Sequence, residues 1–281
     1  MKLIAVGDNV TDCYLDEKVF YPGGNAVNVA VNCKRNGAEE AAYLGVFGSD
    51  VNARHIQECL TKEGVSFDRS RTVDAPSGQP GVTINGEGDR IFVKGPRRTA
   101  QTLVKLQLLE DDLEYIGGFD ICHTSCFSSI EDELPALSGK CGISYDFSDE
   151  WDEAYLRRVC PWLKIAFFSG SDMTDAGVAE LQSFCHGLGV RVVGVTLGGR
   201  GACVSENGRA FRQGIVPTEV VDTMGAGDSF IAGFLTEYGR GADMPAALAY
   251  AAGRAANTCR QHGGWGYPHS FVTDWPGNMP K

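Results

Sequence analysis

Short apolar runs recur along this chain with helix-like segments between them, and that alternation restricts the fold more than any other feature. Residues 2–6, 41–47, 120–124, 142–147, 164–168 and 191–196 have the length and apolar content of buried strands. Residues 26–35 and 175–186 have helical spacing instead. Strands that alternate with helices pair in parallel and are covered on both faces, so the pattern predicts an α/β fold with a mainly parallel central sheet. No repeat, low-complexity tract or linker interrupts it, and 281 residues with 43% hydrophobic content suffice for one domain over residues 1–281.

Two regions break the rhythm. Residues 13–21 and 81–94 read as strands with no helix between them, and Asn85-Gly86 in the second is a hairpin signal. Together they predict a small β-sheet lid, formed by about residues 13–21 and 79–98, that covers a ligand or pairs with another subunit. A second hairpin, residues 202–211 around Asn207-Gly208, reads as structural.

Charge narrows the partners. With 25 Lys and Arg against 36 Asp and Glu the net charge is −11, which argues against nucleic acid and against an anionic membrane surface. Residues 1–10 lack the basic region and long apolar core of a secretory leader, and no stretch is long and apolar enough to span a bilayer. The expectation is a cytoplasmic protein. The ten cysteines include no C-x-x-C pair and the five histidines no H-E-x-x-H, so neither a disulfide framework nor a zinc site is indicated. Cys122, His123 and Cys126 read as packing at a strand end.

Chemistry concentrates in Val221-Asp222-Thr223-Met224-Gly225-Ala226-Gly227-Asp228-Ser229-Phe230, followed by an apolar helical run. Glycines at a strand-to-helix junction let backbone N–H groups face outward at the helix start, so Gly225, Ala226 and Gly227 form a candidate anion hole. Such a cradle can hold a transferring phosphoryl group as its charge spreads over the equatorial oxygens. Asp228, beside it, is the candidate base for the attacking hydroxyl. An N-cap aspartate after a glycine turn is the plainer alternative.

A second glycine site lies far upstream, in Gly23-Gly24-Asn25-Ala26-Val27-Asn28-Val29-Ala30-Val31-Asn32. On a helix Asn25, Asn28 and Asn32 fall on one stripe among residues that must be buried. A buried amide without a partner costs about 1–3 kcal/mol, so backbone, side chains or a polyhydroxylated ligand must supply partners.

These two segments resemble the paired signatures of the ribokinase-like carbohydrate kinases, the phosphofructokinase-B family. The resemblance implies a three-layer sandwich with a β-sheet lid, and phosphoryl transfer from ATP with Mg²⁺ to a sugar hydroxyl. It leaves room for a monovalent cation and for a homodimer formed through the lid. Gly7-Asp8-Asn9-x-x-Asp12, Asp146-Phe147-Ser148-Asp149 with Trp151, and His262-Gly263-Gly264-Trp265 are most similar to the fructoselysine 6-kinases within that family. This implies a fructosamine acceptor phosphorylated at its 6-hydroxyl.

Carried over by position, Asp12, Gly23, Gly24 and Asn28 would line the sugar pocket. A carboxylate there takes hydroxyl donors, and glycine permits close approach of the ring. Thr196, Gly198 and Gly201 resemble the nucleotide segment, with Asn257 near the adenine. The family's Asn-x-x-Glu element is replaced by Ser169-Gly170-Ser171-Asp172, which leaves Asp172 a metal role only through water. Arg90, with Lys94, Arg97 and Arg98, forms a cationic lid segment suited to a substrate carboxylate or to a solvated edge. Kinases of a free ketohexose, pentose or nucleoside share these signatures, as would a non-catalytic sugar- or nucleotide-binding regulator that had lost the base. A dehydrogenase fails, because no G-x-G-x-x-G follows the first strand.

Overall fold

The computed structural model describes residues 1–84, 90–93 and 95–271, with the backbone alone at 84 and 90–92. The strands in chain order are β1 (Lys2–Gly7), β2 (Val10–Tyr14), β3 (Val19–Gly23), β4 (Glu40–Phe47), β5 (Arg71–Thr72), β6 (Gly81–Ile84), β7 (Arg90–Val93), β8 (Ile121–Ser125), β9 (Gly142–Asp146), β10 (Ile165–Ser169), β11 (Val192–Thr196), β12 (Ala202–Glu206), β13 (Arg209–Gln213) and β14 (His269–Ser270). The helices are α1 (Asn25–Arg35), α2 (Val51–Glu63), α3 (Ala100–Leu103), α4 (Glu110–Ile116), α5 (Leu134–Ser138), α6 (Glu153–Val159), α7 (Asp175–Gly187), α8 (Ala226–Gly239) and α9 (Met244–Thr258).

Nine strands form the main sheet in the order β13-β12-β11-β10-β9-β8-β1-β4-β5. From β5 to β11 every neighbouring pair is parallel, and the β12–β13 hairpin closes one edge antiparallel. The strands carry apolar side chains on both faces because both faces are covered. Within β1, Leu3 and Ala5 join the core under α1, α2, α8 and α9, while Ile4 and Val6 join the core on the opposite face under α4 to α7. The α/β sandwich expected from the alternation is therefore present.

The lid is a five-stranded sheet, β14-β3-β2-β6-β7. Its first segment is a hairpin rather than one strand: β2 and β3 pair with Asp12 opposite Tyr21. Pairing of β6 with β7 supplies the second hairpin. The sequence did not suggest that β14, near the C-terminal end of the described residues, adds to β3 as a further strand. Tyr14, Tyr21 and Val82 pack together on one lid face with Met224 of the glycine segment, so the lid rests on the loop before α8. Asn85 and Gly86 lie outside the described residues, as does Lys94.

In the parallel sheet the C-terminal ends of β1, β8, β9, β10 and β11 share one edge, where α/β sheets place their ligands. Helices α1 and α8 begin at that same edge. Neither is capped by its own N-cap residue, Gly24 and Gly225 respectively. The two gaps are filled differently, and that difference makes the site.

Candidate active site

At α1 the missing cap comes from the end of β1. The Asp8 carboxylate accepts the backbone N–H groups of Asn25 at 2.7 Å and Ala26 at 3.2 Å, and the hydroxyls of Ser125 and Ser128 at 3.2 and 3.0 Å. Sequence reading marked the Gly7-Asp8-Asn9 turn without finding this job. A buried acidic residue ending the first strand, ahead of a helix that starts on glycine, was the available signal.

At α8 the N-cap Gly225 offers no side-chain cap, and only the Ala226 N–H is met locally, by the Thr223 carbonyl at 3.2 Å, among the described residues. Gly225 has φ 69°, and a Cβ there would lie 2.6 Å from the Cα of Gly264, so only glycine fits. Ala226 and Gly227 line a cavity of about 360 Å³ together with Thr196, Gly198, Gly201 and Phe230. Ile215, Val216 and Val220, all exposed, form an apolar wall on the same cavity. An uncapped helix start beside an apolar slot is suited to a phosphate chain carrying a flat base. The predicted nucleotide residues Thr196, Gly198 and Gly201 are thus brought together with the cradle. Asn257 is exposed and does not line this cavity; Ala255, Ala256 and Cys259 of the same region do. Asp172 is also exposed, and the carbonyls of Ser171 and Met173 beside it accept from Arg200. Among the described residues no three His, Cys, Asp or Glu side chains converge as a metal cage.

Asp228, in the first turn of α8, points the other way, toward α1. Its Oδ1 accepts from Asn25 Nδ2 at 2.7 Å and its Oδ2 from Asn28 Nδ2 at 2.6 Å. The third amide of the stripe is spent locally, Asn32 donating to the Asn28 carbonyl at 2.9 Å. Asn28 therefore serves the carboxylate directly, and its Oδ1 is occupied by the Trp265 indole N–H at 2.9 Å. Burial raises the Asp228 pKa to about 6; the Asn28 hydrogen bond opposes this, the Asp8 charge adds to it, and the Asn25 bond again opposes it. A carboxylate so placed is mostly ionised at neutral pH and basic enough to take a hydroxyl proton.

Asp12 stands on β2, near enough to Asp228 for the two charges to interact. It is only 6% exposed and has no hydrogen-bond donor among the described residues. A Cβ on Gly23 would lie 2.2 Å from its Oδ2, so the glycine makes room for the carboxylate. Burial, then the charges of Asp228, Asp222 and Asp8, raise its pKa to about 7. A carboxylate this deeply set is costly to ionise unless donors reach it, and vicinal hydroxyls are suitable donors. Asn25 and Asn28 reach Asp228 through the contacts above, so the upstream and downstream glycine segments meet, while Gly24 lies against Asp8 and Asn9. Of Arg90 only the backbone is described; Arg97 and Arg98 are exposed.

Asp146, at the end of β9, accepts from Asn25 Nδ2 at 2.9 Å and from the Ser148 N–H at 2.9 Å. Burial and the nearby Asp228 charge raise its pKa to about 7. Asp222, fully buried, accepts from the Tyr14 hydroxyl, from Met224 N at 2.7 Å and from Gly263 N at 3.0 Å, which ties the lid to the glycine loop. Asp146 and Trp265 had been marked in the sequence only as parts of local stretches; the partners that give them a role lie more than a hundred residues away.

The pfkB family carbohydrate kinase model matches residues 1–266. The fructosamine kinase FrlD of Bacillus subtilis (strain 168) is 45% identical over 281 residues, covering 100% of this chain and 99% of the relative. The fructoselysine 6-kinase of Escherichia coli (strain K12) is 34% identical, covering 94% of this chain and 100% of the relative. Among solved structures, Arabidopsis thaliana ribokinase complexed with ribose and ATP has TM-score 0.80 and 21% identity, covering 93% of each chain. A putative ribokinase II from E. coli in complex with ATP and Mg²⁺ has TM-score 0.77 and 19% identity, covering 94% of each. Matched over nearly all its length, this chain belongs to the pfkB family of carbohydrate kinases.

Proposed function

We propose that the chain transfers the γ-phosphoryl group of Mg²⁺·ATP to the 6-hydroxyl of a fructosamine such as fructoselysine, with Asp228 as the base. The observation that carries this reading is the placement of Asp228: its carboxylate is held by Asn25 and Asn28 of the upstream glycine segment and lies near enough to Asp12 for the two charges to interact, while Gly227, one residue earlier, lines the cavity of Thr196, Gly198 and Gly201. The acceptor hydroxyl then meets the phosphoryl group at the start of α8. Asp228 takes the hydroxyl proton as the new O–P bond forms and the bond from the γ-phosphorus to the β–γ bridging oxygen breaks to release ADP, and the N–H groups of the first turn hold the charge on the transferring oxygens. Mg²⁺ bound with the triphosphate would offset its charge, and Asp172 would serve it only through water. The fructosamine assignment is supported by the two relatives whose printed activities are of that kind.

The remaining parts of the reading are a monovalent cation, a cytoplasmic location where ATP is supplied, Asn257 at the rim of the base site, and Arg90 reading the amino-acid carboxylate of the substrate. A homodimer through the lid completes the reading. The deciding experiment is ATP-dependent mass gain of one phosphate across a panel of fructosamines, free ketohexoses, pentoses and nucleosides. Phosphorylation of the fructosamines at the 6-position supports the assignment. Preferential turnover of a free sugar or nucleoside would replace it, and no transfer to any acceptor would remove the kinase reading.

A further inference from the structure

Asn25 is held at every polar atom of its side chain. Its Nδ2 carries two hydrogens and donates one to Asp228 and one to Asp146. Its Oδ1 lies 2.9 Å from His123 Nε2, and His123 Nδ1 lies 3.1 Å from Ser144 Oγ. His123 and Ser144 are fully buried, and Asn25 is 7% exposed.

The protons can be placed by elimination. An amide turned the other way would set its oxygen against two carboxylates and its NH₂ against the imidazole, so the orientation with Nδ2 toward the acids is the favoured one. Oδ1 can then only accept, and Nε2 must carry the imidazole hydrogen. Nδ1 is left as the acceptor for the Ser144 hydroxyl. Burial holds the imidazole pKa down to about 3, so the ring stays neutral and keeps this single donor. The result is a one-way chain, Ser144 to His123 to Asn25 to the two acids, running through the interior of β8 and β9.

We infer that Asn25, locked in one orientation by the neutral His123, is a positioning residue that aims the Asp228 carboxylate and sets its basicity. This rests on the reading of Asp228 as the base. Without the His123 N–H, the Asn25 amide loses the one donor to its Oδ1 among the described residues, and with it the selection of its orientation from that side. Its hold on Asp228 then weakens, and the carboxylate both wanders and binds its proton more tightly.

The test is the pH dependence of kcat/KM for the full chain with a fructosamine and Mg²⁺·ATP. His123→Phe keeps a buried ring and removes the donor, while His123→Gln retains an N–H. We expect His123→Phe to lower kcat about tenfold, to move the acid limb of the profile upward by roughly one pH unit, and to leave both KM values within about threefold. His123→Gln should recover most of kcat. A purely packing role would lower stability without moving the limb, and a folded His123→Phe enzyme with the wild-type limb overturns the proposal. If His123→Phe does not fold, Ser144→Ala decides by the same readout, since it removes the donor to Nδ1 and little volume. Asp228→Asn is measured alongside. If it keeps turnover, the assignment of the base has failed; if it is inactive while the limb is unmoved in the relay variants, only the positioning role has failed.

Discussion

Trp265 donates its indole N–H to Asn28 Oδ1 at 2.9 Å, and the same amide donates onward to Asp228 at 2.6 Å. The ring is 1% exposed, so water cannot replace it as donor. Trp265→Phe should leave Asn28 Oδ1 buried without a partner, at a cost of about 1–3 kcal/mol measured by denaturant unfolding. It should also depress kcat more than either KM, because the Asn28 amide it orients holds the proposed base, Asp228. Wild-type kcat in a folded Trp265→Phe enzyme would disconnect the C-terminal glycine loop from the chemistry.

Asp228→Asn removes the proposed base and keeps the size of the side chain, but retains an acceptor for only one of the two bonds from Asn25 and Asn28. We expect kcat to fall by at least about 10²-fold while sugar affinity, measured by calorimetry, changes little. Turnover near the wild-type rate in this variant would refute Asp228 as the proton acceptor.

Several parts of this site were legible in the sequence because they depend on neighbours along the chain. The cradle is written in consecutive residues around Gly225 and Gly227, and the amide stripe in helical spacing from Asn25. The stripe even declared that partners were needed. What it did not declare was which ones: Asn25 finds His123 and Asp146, and Asn28 finds Trp265, across separations of 98, 121 and 237 residues. Such pairings follow from strand order in the sheet, which no local pattern encodes. The addition of β14 to the lid was hidden for a related reason, since a two-residue strand has no periodicity to read.

Gly23→Ala separates the two substrates. The added methyl would meet Asp12 Oδ2 at 2.2 Å and Cγ at 2.9 Å, so the carboxylate must leave its position. The nucleotide cavity shares no lining residue with this contact. KM for the sugar should rise at least about tenfold, a loss of roughly 1.4 kcal/mol in binding, with KM for ATP nearly unchanged. Equal losses for both substrates would mean that Asp12 does not read the sugar.

The same carboxylate links function to stability. A buried acid whose pKa is raised holds its proton more tightly in the folded chain than in the unfolded one. The folded state therefore binds more protons between the ordinary carboxyl range and about pH 7, and stability falls as pH rises through that window. Asp112, Glu63 and Glu206 are shifted the opposite way, Arg71, Arg35 and Tyr238 with Arg191 opposing their burial, so their contributions are already complete at the lower end of it. Asp12→Asn removes one raised group without changing its volume. The stability advantage of the mutant over wild type should grow by on the order of 2–3 kcal/mol between about pH 5 and about pH 8, in unfolding titrations without ligands. Saturating sugar should shrink that advantage, because only the wild-type carboxylate gains hydroxyl donors. An advantage that is the same at both pH values would show that Asp12 carries no excess proton affinity in the folded chain, and would take away the reason for a ligand to satisfy it.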